Sequence, residues 1–482
     1  MLEYIEKTSK IYDLFALCCS FILKEDEKNP TELSNYDIEQ YDEVHDAIEC
    51  YFFDCEEIGQ RDAFIKLREY IIDFMKPEAD IEKCLAVVCN IDDMIDAEFY
   101  GKLMGGNHII KYTALNEQYV DCVKIIPCMK ETFLDKANKK LGNGRYSFFR
   151  NRRDKDWSSL DKMINNYMIW GEDYIKTYPL TVYHFDCMNA ITEHFKDRDK
   201  IVFGIVPFSN EEMKKLLRIK LQNHVFVVEG LKEDIEKKLK DKYEDIYKKA
   251  EKEEIDFLIF PEMLMTDEIM GFFSKNQHKK GSPWIIVNGS IWKDLMNKCI
   301  ITDGYGNEIF SYLKKEPFIY KNKEDGKEYK EWLDRKKNTE YSILDIEGVG
   351  RIGIAICKDL LNEKVKLFHK YMGTDFLIVP AYTDSMDLQS SAQELSKEYN
   401  CVVIVANACS AVEKPESNRI GFLTLPAKAG SYREEIILRY CRDQCKNDCK
   451  DRCVGKKFII NFYDSHTYDS GKISYDVVES SF

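Results

Sequence analysis

Gly353-Ile354-Ala355-Ile356-Cys357-Lys358-Asp359 is the stretch on which the reading of this chain turns. Together with Ile352 it makes an apolar run of strand length that ends on a cysteine and passes at once into charge. A thiol delivered at the end of a buried strand stands where open α/β sheets bind ligands. Taken alone, a cysteine in that position is more often a small core residue than a nucleophile. Its meaning therefore depends on what the rest of the chain brings to it.

Two further segments place reactive side chains at strand ends. Asp256-Phe257-Leu258-Ile259-Phe260-Pro261-Glu262 carries a carboxylate just past a proline. Tyr312-Leu313-Lys314-Lys315-Glu316-Pro317-Phe318 ends a strand in two lysines. The three together supply what thiol attack on a carbonyl or nitrile carbon requires. A carboxylate accepts the thiol proton, and a lysine stabilises the negative oxygen of the tetrahedral intermediate. The backbone N–H of Lys358, just after the cysteine, is positioned to share that oxyanion role.

Working outward, apolar runs at Ile201–Phe208, Ile255–Phe260, Trp284–Asn288, Tyr341–Ile346, Ile352–Ile356, Phe376–Val379 and Val402–Ala406 alternate with helical patterns. Arg218–Val228 reads as one extended stretch. Lys298–Leu313 reads as a hairpin turning at Asp303–Asn307. Glu233–Glu254 reads as a helix whose inner face is Ile235, Leu239, Tyr243, Ile246 and Ala250. Strands interleaved with helices predict an α/β domain over 199–482. Before it, 1–198 is mostly helical, with apolar residues at helical spacing in Ile11, Leu14, Phe15, Cys18 and Cys19, and again in Phe64, Leu67, Tyr70, Ile71 and Phe74 before Pro77. The Lys- and Glu-rich insertion 321–337 reads either as a solvated loop or as a lid over a pocket.

The three reactive segments, in this order and strand context, resemble the Glu, Lys and Cys motifs of the nitrilase superfamily of carbon–nitrogen hydrolases. The resemblance continues through Gly373-Thr374-Asp375 and the strand to Pro380, through Ala392–Asn400 and Val402–Asn407, and on to Gly421 and Pro426. It covers about half of the chain, from 199 to 440. It implies an α–β–β–α sandwich and a site in which Glu262 is the general base and acid, Lys314 stabilises the oxyanion, and Cys357 is the nucleophile. Lys315 is a close competitor for the lysine role. Many members use a second glutamate after the lysine; Glu324 has the best spacing for it, with Glu328 and Glu331 as alternatives. The implied reaction is hydrolysis of a non-peptide C–N bond in an amide, carbamoyl compound or nitrile, through a thioester or thioimidate and without a cofactor. Two departures bear on substrate. Lys358 stands where the family usually has an uncharged residue, and Gln393 stands where it often has arginine. A lysine at 358 could lower the thiol pKa or select an acidic substrate.

The bulk composition sets limits. At 482 residues with 44% hydrophobic and 32% charged side chains, the chain is globular and long enough for two or three domains. A net charge of -15 disfavours broad binding to nucleic-acid phosphates. The 17 cysteines and the lack of an apolar leader predict free thiols in a reducing, cytoplasmic setting. No run reaches membrane length. Cys441, Cys445, Cys449 and Cys453 recur every four residues among charges; a straight helix cannot close four thiolates around zinc, so a packed stripe competes with a metal or redox role, and no metal is assigned. The basic and aromatic stretch Arg145–Lys155 reads as a solvated turn, and the His184/Cys187 pair as structural. The expected partners are a small amide or nitrile substrate and a second copy of the chain, with a protein partner for the helical half. A second reading makes the C-terminal domain a scaffold or sensor, since family domains also occur fused to unrelated modules, including in bacterial defence proteins.

Overall fold

The computed structural model describes residues 1–28, 38–94, 108–112, 124–127, 167–170, 179–185, 190–195, 198, 200–207, 213–275, 281–322, 324–334, 340–383, 387–399, 401–409, 419–425, 435–439, 455–462 and 475–481. The chain divides into two compact units. One is Met1–Lys130 with Asn143–Thr181, and the other is Glu131–Gly142 with Val182–Phe482. Cys441, Cys445, Cys449, Cys453 and the Arg145–Lys155 stretch lie outside the described residues.

The first unit opens with a bundle of the helices Ile11–Lys28, Ile38–Glu57, Gln60–Phe74 and Ile81–Met94. Its core takes Leu14, Phe15, Cys18 and Ile22 from the first helix, Val44 and Ile48 from the second, Phe64, Leu67 and Ile71 from the third, and Leu85, Val88 and Ile91 from the fourth. These are i, i+3, i+4 sets, so one apolar stripe per helix suffices to build the core. Tyr70 departs from the expected inner face. It is 38% exposed and donates its O–H to the Glu43 carbonyl at 2.7 Å. Past the helices, this unit has the short strands His108–Tyr112, Lys124–Pro127 and Tyr167–Trp170.

The second unit is built on two sheets. In one, the parallel strands Gly350–Ile354, Phe376–Ala381 and Val402–Asn407 form the centre. Tyr341–Ile346 joins antiparallel on one side, and Arg419–Thr424 then Glu435–Arg439 on the other. In the other sheet, Lys200–Ile205, Phe257–Ile259 and Ile285–Val287 run parallel. Met296–Asp303 follows antiparallel, hairpinned to Glu308–Leu313. The C-terminal strand Lys456–Phe462 pairs antiparallel with Lys200–Ile205, and Tyr475–Ser481 pairs with it in turn. Sequence patterning alone did not reveal this closure by the end of the chain.

Strand periodicity explains the layering. Along Lys200–Ile205, Val202 points into a cluster with Ile235, Leu239, Tyr243 and Ile246 of the helix Glu233–Lys252. Its neighbour Phe203 points the opposite way, to Phe376 of the other sheet, with ring centroids 5.8 Å apart. On the far side, the helix Asp387–Tyr399 is tied to the strand Arg419–Thr424, where Thr424 Oγ1 donates to the Ala392 carbonyl at 3.2 Å. Helix, two sheets and helix are thus stacked in that order.

A separate four-stranded sheet, in the order Ile319–Lys321, Glu328–Glu331, Val225–Leu231, Leu217–Gln222, accounts for two sequence expectations. The stretch 218–228 is a hairpin and not one strand: Asn223 and His224 take φ of 48° and 60°, the left-handed turn that matches strand twist. The charged insertion is neither a bare loop nor a detached lid. Its strand Glu328–Glu331 pairs in parallel with Val225–Leu231, and Glu331 is buried.

Candidate active site

Glu262, Lys314 and Cys357 meet at the ends of their strands. The Pro261–Glu262 turn is set by close backbone packing, for a Cβ on Gly289 would stand 2.0 Å from the Pro261 carbonyl oxygen. Ser290 Oγ then accepts the Met263 N–H at 2.9 Å. Lys314 leaves its strand with its N–H bound to the Asn297 carbonyl at 2.8 Å. Cys357 opens a short 3-10 turn, Cys357–Leu361, with φ of 49°. This left-handed conformation costs about 1–2 kcal/mol for a residue with a Cβ, and it turns the thiol out of the strand's alternation.

The Lys314 ammonium donates to Glu262 Oε1 at 2.6 Å and to Glu331 Oε2 at 2.7 Å. Asn297 Nδ2 bridges the same two carboxylates, at 2.9 Å from Glu262 Oε1 and 3.1 Å from Glu331 Oε1. Glu331 also accepts from Trp292 Nε1 at 3.0 Å and from the Phe318 N–H at 2.8 Å. Cys357 is close enough to Glu262 for each to shift the pKa of the other, and the Tyr382 backbone favours the thiolate. Glu262, Lys314 and Cys357 are each 1% exposed, so these charges act in a dry setting where they are strongly felt.

The electrostatics divide the two carboxylates. Burial raises Glu262 above its ordinary value, and the charge of Glu331 adds to this against the pull of Lys314. For Glu331, burial alone would also raise it, but the Lys314 charge and the hydrogen bonds from Lys314, Phe318 and Trp292 hold it below the carboxylate range. Burial lowers the Lys314 ammonium, yet the two glutamates outweigh that and keep it protonated. Burial and the Glu262 charge push the Cys357 thiol up, so at rest the proton sits on sulfur. Of two acids sharing one lysine, the one less stabilised as an anion faces the thiol.

Among the weighed alternatives, the geometry selects. Lys315 turns away: its Nζ donates to the Glu340 carbonyl at 2.7 Å and lies 4.1 Å from the Tyr341 ring centroid. Burial lowers it to about 8. Glu324, the best-spaced second glutamate in the sequence, is exposed in the turn at Asn322–Lys327, where its N–H bonds Asn322 Oδ1 at 3.3 Å. The second carboxylate at Lys314 is Glu331, since the insertion folds as a strand and carries the last of its glutamates inward. Asn297 and Trp292 went unseen because neither carries a sequence signal beyond its place in a strand.

Asp359 links the cysteine turn to the lysine loop. Its Oδ1 accepts the N–H groups of Lys315 at 2.9 Å and Glu316 at 2.6 Å, and its Oδ2 accepts that of Ile356 at 3.1 Å. Burial raises it to about 6 in spite of these donors. Among the described residues no group of His, Cys, Asp and Glu is arranged to hold a metal ion. None of the described helices is long and apolar enough to cross a membrane.

No protein-family model matches the chain, and no curated protein sequence does. Solved structures do. Nit3 of Saccharomyces cerevisiae, described as a member of branch 10 of the nitrilase superfamily, is similar over 50% of this chain and 89% of its own, at 14% identity and a TM-score of 0.31. An amidase from Nesterenkonia sp. is similar over 51% of this chain and 94% of its own, at 12% identity and a TM-score of 0.32. For the glutamine-dependent NAD+ synthetase of Acinetobacter baumannii the figures are 58%, 48%, 13% and 0.36, so the likeness spans about half of that longer protein. Over about half of its length, then, this chain is similar in fold to structures of the nitrilase superfamily.

Proposed function

We propose that residues 199–482 form a hydrolase that cleaves a non-peptide C–N bond of an amide, carbamoyl compound or nitrile. The observation that carries this reading is the buried cluster in which Cys357 and Glu262 shift each other's pKa while Glu262 accepts from Lys314 at 2.6 Å. As Sγ attacks the carbonyl carbon, the thiol proton passes to Glu262, whose raised pKa suits it to hold that proton. The Lys314 ammonium and the Lys358 N–H receive the negative oxygen. Glu262 returns the proton to the leaving nitrogen, which departs as ammonia or amine and leaves a thioester on Cys357. Water, deprotonated by the same carboxylate, then releases the acid. Glu331 holds Lys314 in place and charged throughout.

The test uses the full chain with a panel of simple amides, N-carbamoyl compounds and nitriles. Released ammonia is assayed, and the Cys357 peptide is weighed for an acyl adduct after acid quench. Ammonia release that needs Cys357 and an adduct on that residue are expected. No adduct, or release unchanged in Cys357→Ala, removes the reading.

The helical unit supports a second role alongside the first. It exposes Phe53 at 68% and Ile58 at 41%, apolar side chains suited to a protein partner or a second copy of the chain. Sedimentation of the full chain beside Phe53→Ser tests it. An unchanged mass in both, with no partner retained, removes that role.

A further inference from the structure

The parallel strand that leads into Cys357 ends level with its two neighbours. Ile354, Ile378 and Ile404 are register partners across Gly350–Ile354, Phe376–Ala381 and Val402–Asn407. Three residues further along each stretch stand Cys357, Ala381 and Asn407. The Ala381 carbonyl accepts the Ala408 N–H at 3.2 Å, and the same oxygen accepts the Glu262 N–H at 3.4 Å. Beyond Ala381 the Asn407 side chain takes over from the backbone ladder. Its Oδ1 accepts the Thr383 N–H at 3.0 Å, and its Nδ2 donates to the Thr383 carbonyl at 2.7 Å. Tyr382 therefore lies between two tied points, Ala381 and Thr383.

A side-chain amide carries a donor and an acceptor in the geometry of a peptide, so the buried Asn407 holds both backbone groups of Thr383 at once. A strand that simply ended at the surface would leave those groups to water. The consequence falls on Tyr382. Its backbone favours the Cys357 thiolate, while burial and the Glu262 charge favour the thiol. A peptide dipole stabilises an anion well only while its place and angle are fixed beforehand. The segment 381–383 thus bears on both reacting residues: on Glu262 through the Ala381 carbonyl, and on Cys357 through the Tyr382 backbone.

We infer that Asn407 is a positioning residue for the reacting thiol: through its two bonds to Thr383 it fixes the Tyr382 backbone at the strand end where Cys357 reacts. This inference rests on the reading of Cys357 as the nucleophile, and its test is independent of turnover.

The full chain is alkylated with iodoacetamide at a fixed pH of about 8, near the ordinary thiol range, and the rate at Cys357 is read from the mass of its peptide. A thiol pKa about one unit higher leaves about tenfold less thiolate at that pH, offset in part by greater nucleophilicity. Asn407→Leu is therefore expected to slow alkylation of Cys357 by about three- to tenfold. Mere loosening of the fold would do the opposite, since it opens a buried thiol to the reagent. Thr424→Val serves as the control. It removes the bonds of Thr424 Oγ1 to the Ala392 carbonyl and to Ser396 Oγ, on the strand next to Val402–Asn407, and is expected not to slow the reaction. Asn407→Ser, too short to span both Thr383 groups, is read in the same way and carries the test where Asn407→Leu does not fold. Alkylation that is unchanged or faster in the folded Asn407 variant, or slowed equally in Thr424→Val, overturns the inference. Failure of the hydrolase reading shows separately, as the lack of an acyl adduct on Cys357 in the native chain.

Discussion

The Lys314 ammonium stands 2.6 Å from Glu262 Oε1 with both side chains at most 1% exposed. An ion pair this dry is held by its surroundings as much as by its own attraction, because removing either charge leaves the other buried and uncompensated.

Glu331 shares that pair, and its loss should be felt in stability. Glu331→Gln takes one of two anions from Lys314 and is expected to cost about 3–5 kcal/mol. Glu324→Gln, in an exposed turn, should stay within about 0.5 kcal/mol of the native chain. Urea unfolding of both variants decides which glutamate belongs to the site. Equal stabilities would assign neither.

Glu262→Gln should separate thiol reactivity from catalysis. The Glu262 charge raises the Cys357 pKa, so its removal moves the midpoint of the rate of iodoacetamide alkylation at Cys357 to lower pH. Turnover of any amide substrate should fall by about 10²–10⁴-fold, since the proton acceptor is gone. In the native chain turnover should fall as acid protonates Glu262, with a midpoint above its ordinary value of 4.5. An alkylation midpoint that stays put or rises contradicts this account.

Gly289→Ala tests the close approach beneath the Pro261–Glu262 turn. The new Cβ would stand 2.0 Å from the Pro261 oxygen, at a residue whose φ is 65°. A loss of about 1–3 kcal/mol is expected from the forced backbone shift and the left-handed strain. The effect of the Glu262 charge on Cys357 should change with it, moving the alkylation midpoint of Cys357. Native stability with a native pH profile would show that the turn is not set there.

Asp359 gives a pH-dependent stability. Its folded value of about 6 lies above its ordinary 3.8, so the folded state binds this proton more tightly than the unfolded chain. The corresponding stabilisation is complete below the ordinary value and is lost as pH rises through about 6. Asp359→Asn cannot accept all three N–H groups and should be destabilised by about 1–3 kcal/mol. That deficit should be larger at pH 5 than at pH 8 when both chains are unfolded in urea. A deficit that grows with pH would reverse the sign assigned here.

The sequence by itself determined the periodic elements and the three strand-end motifs. The apolar stripe of Glu233–Lys252 and the runs ending in Glu262, Lys314 and Cys357 are local patterns, because burial on one face imposes a period of 3.6 or 2. Local patterning could not choose between Lys314 and Lys315, since adjacent residues on a strand end differ only in which face they meet. Nor could spacing choose Glu331 over Glu324, for that depends on the insertion pairing with Val225–Leu231, a contact about a hundred residues away in the chain. Asn297, bridging two carboxylates from distant segments, has no local signature at all. The closing strands Lys456–Phe462 and Tyr475–Ser481 took their place beside Lys200–Ile205 for the same reason. Pairing of remote edges is decided by tertiary packing, which the residues at either edge do not announce.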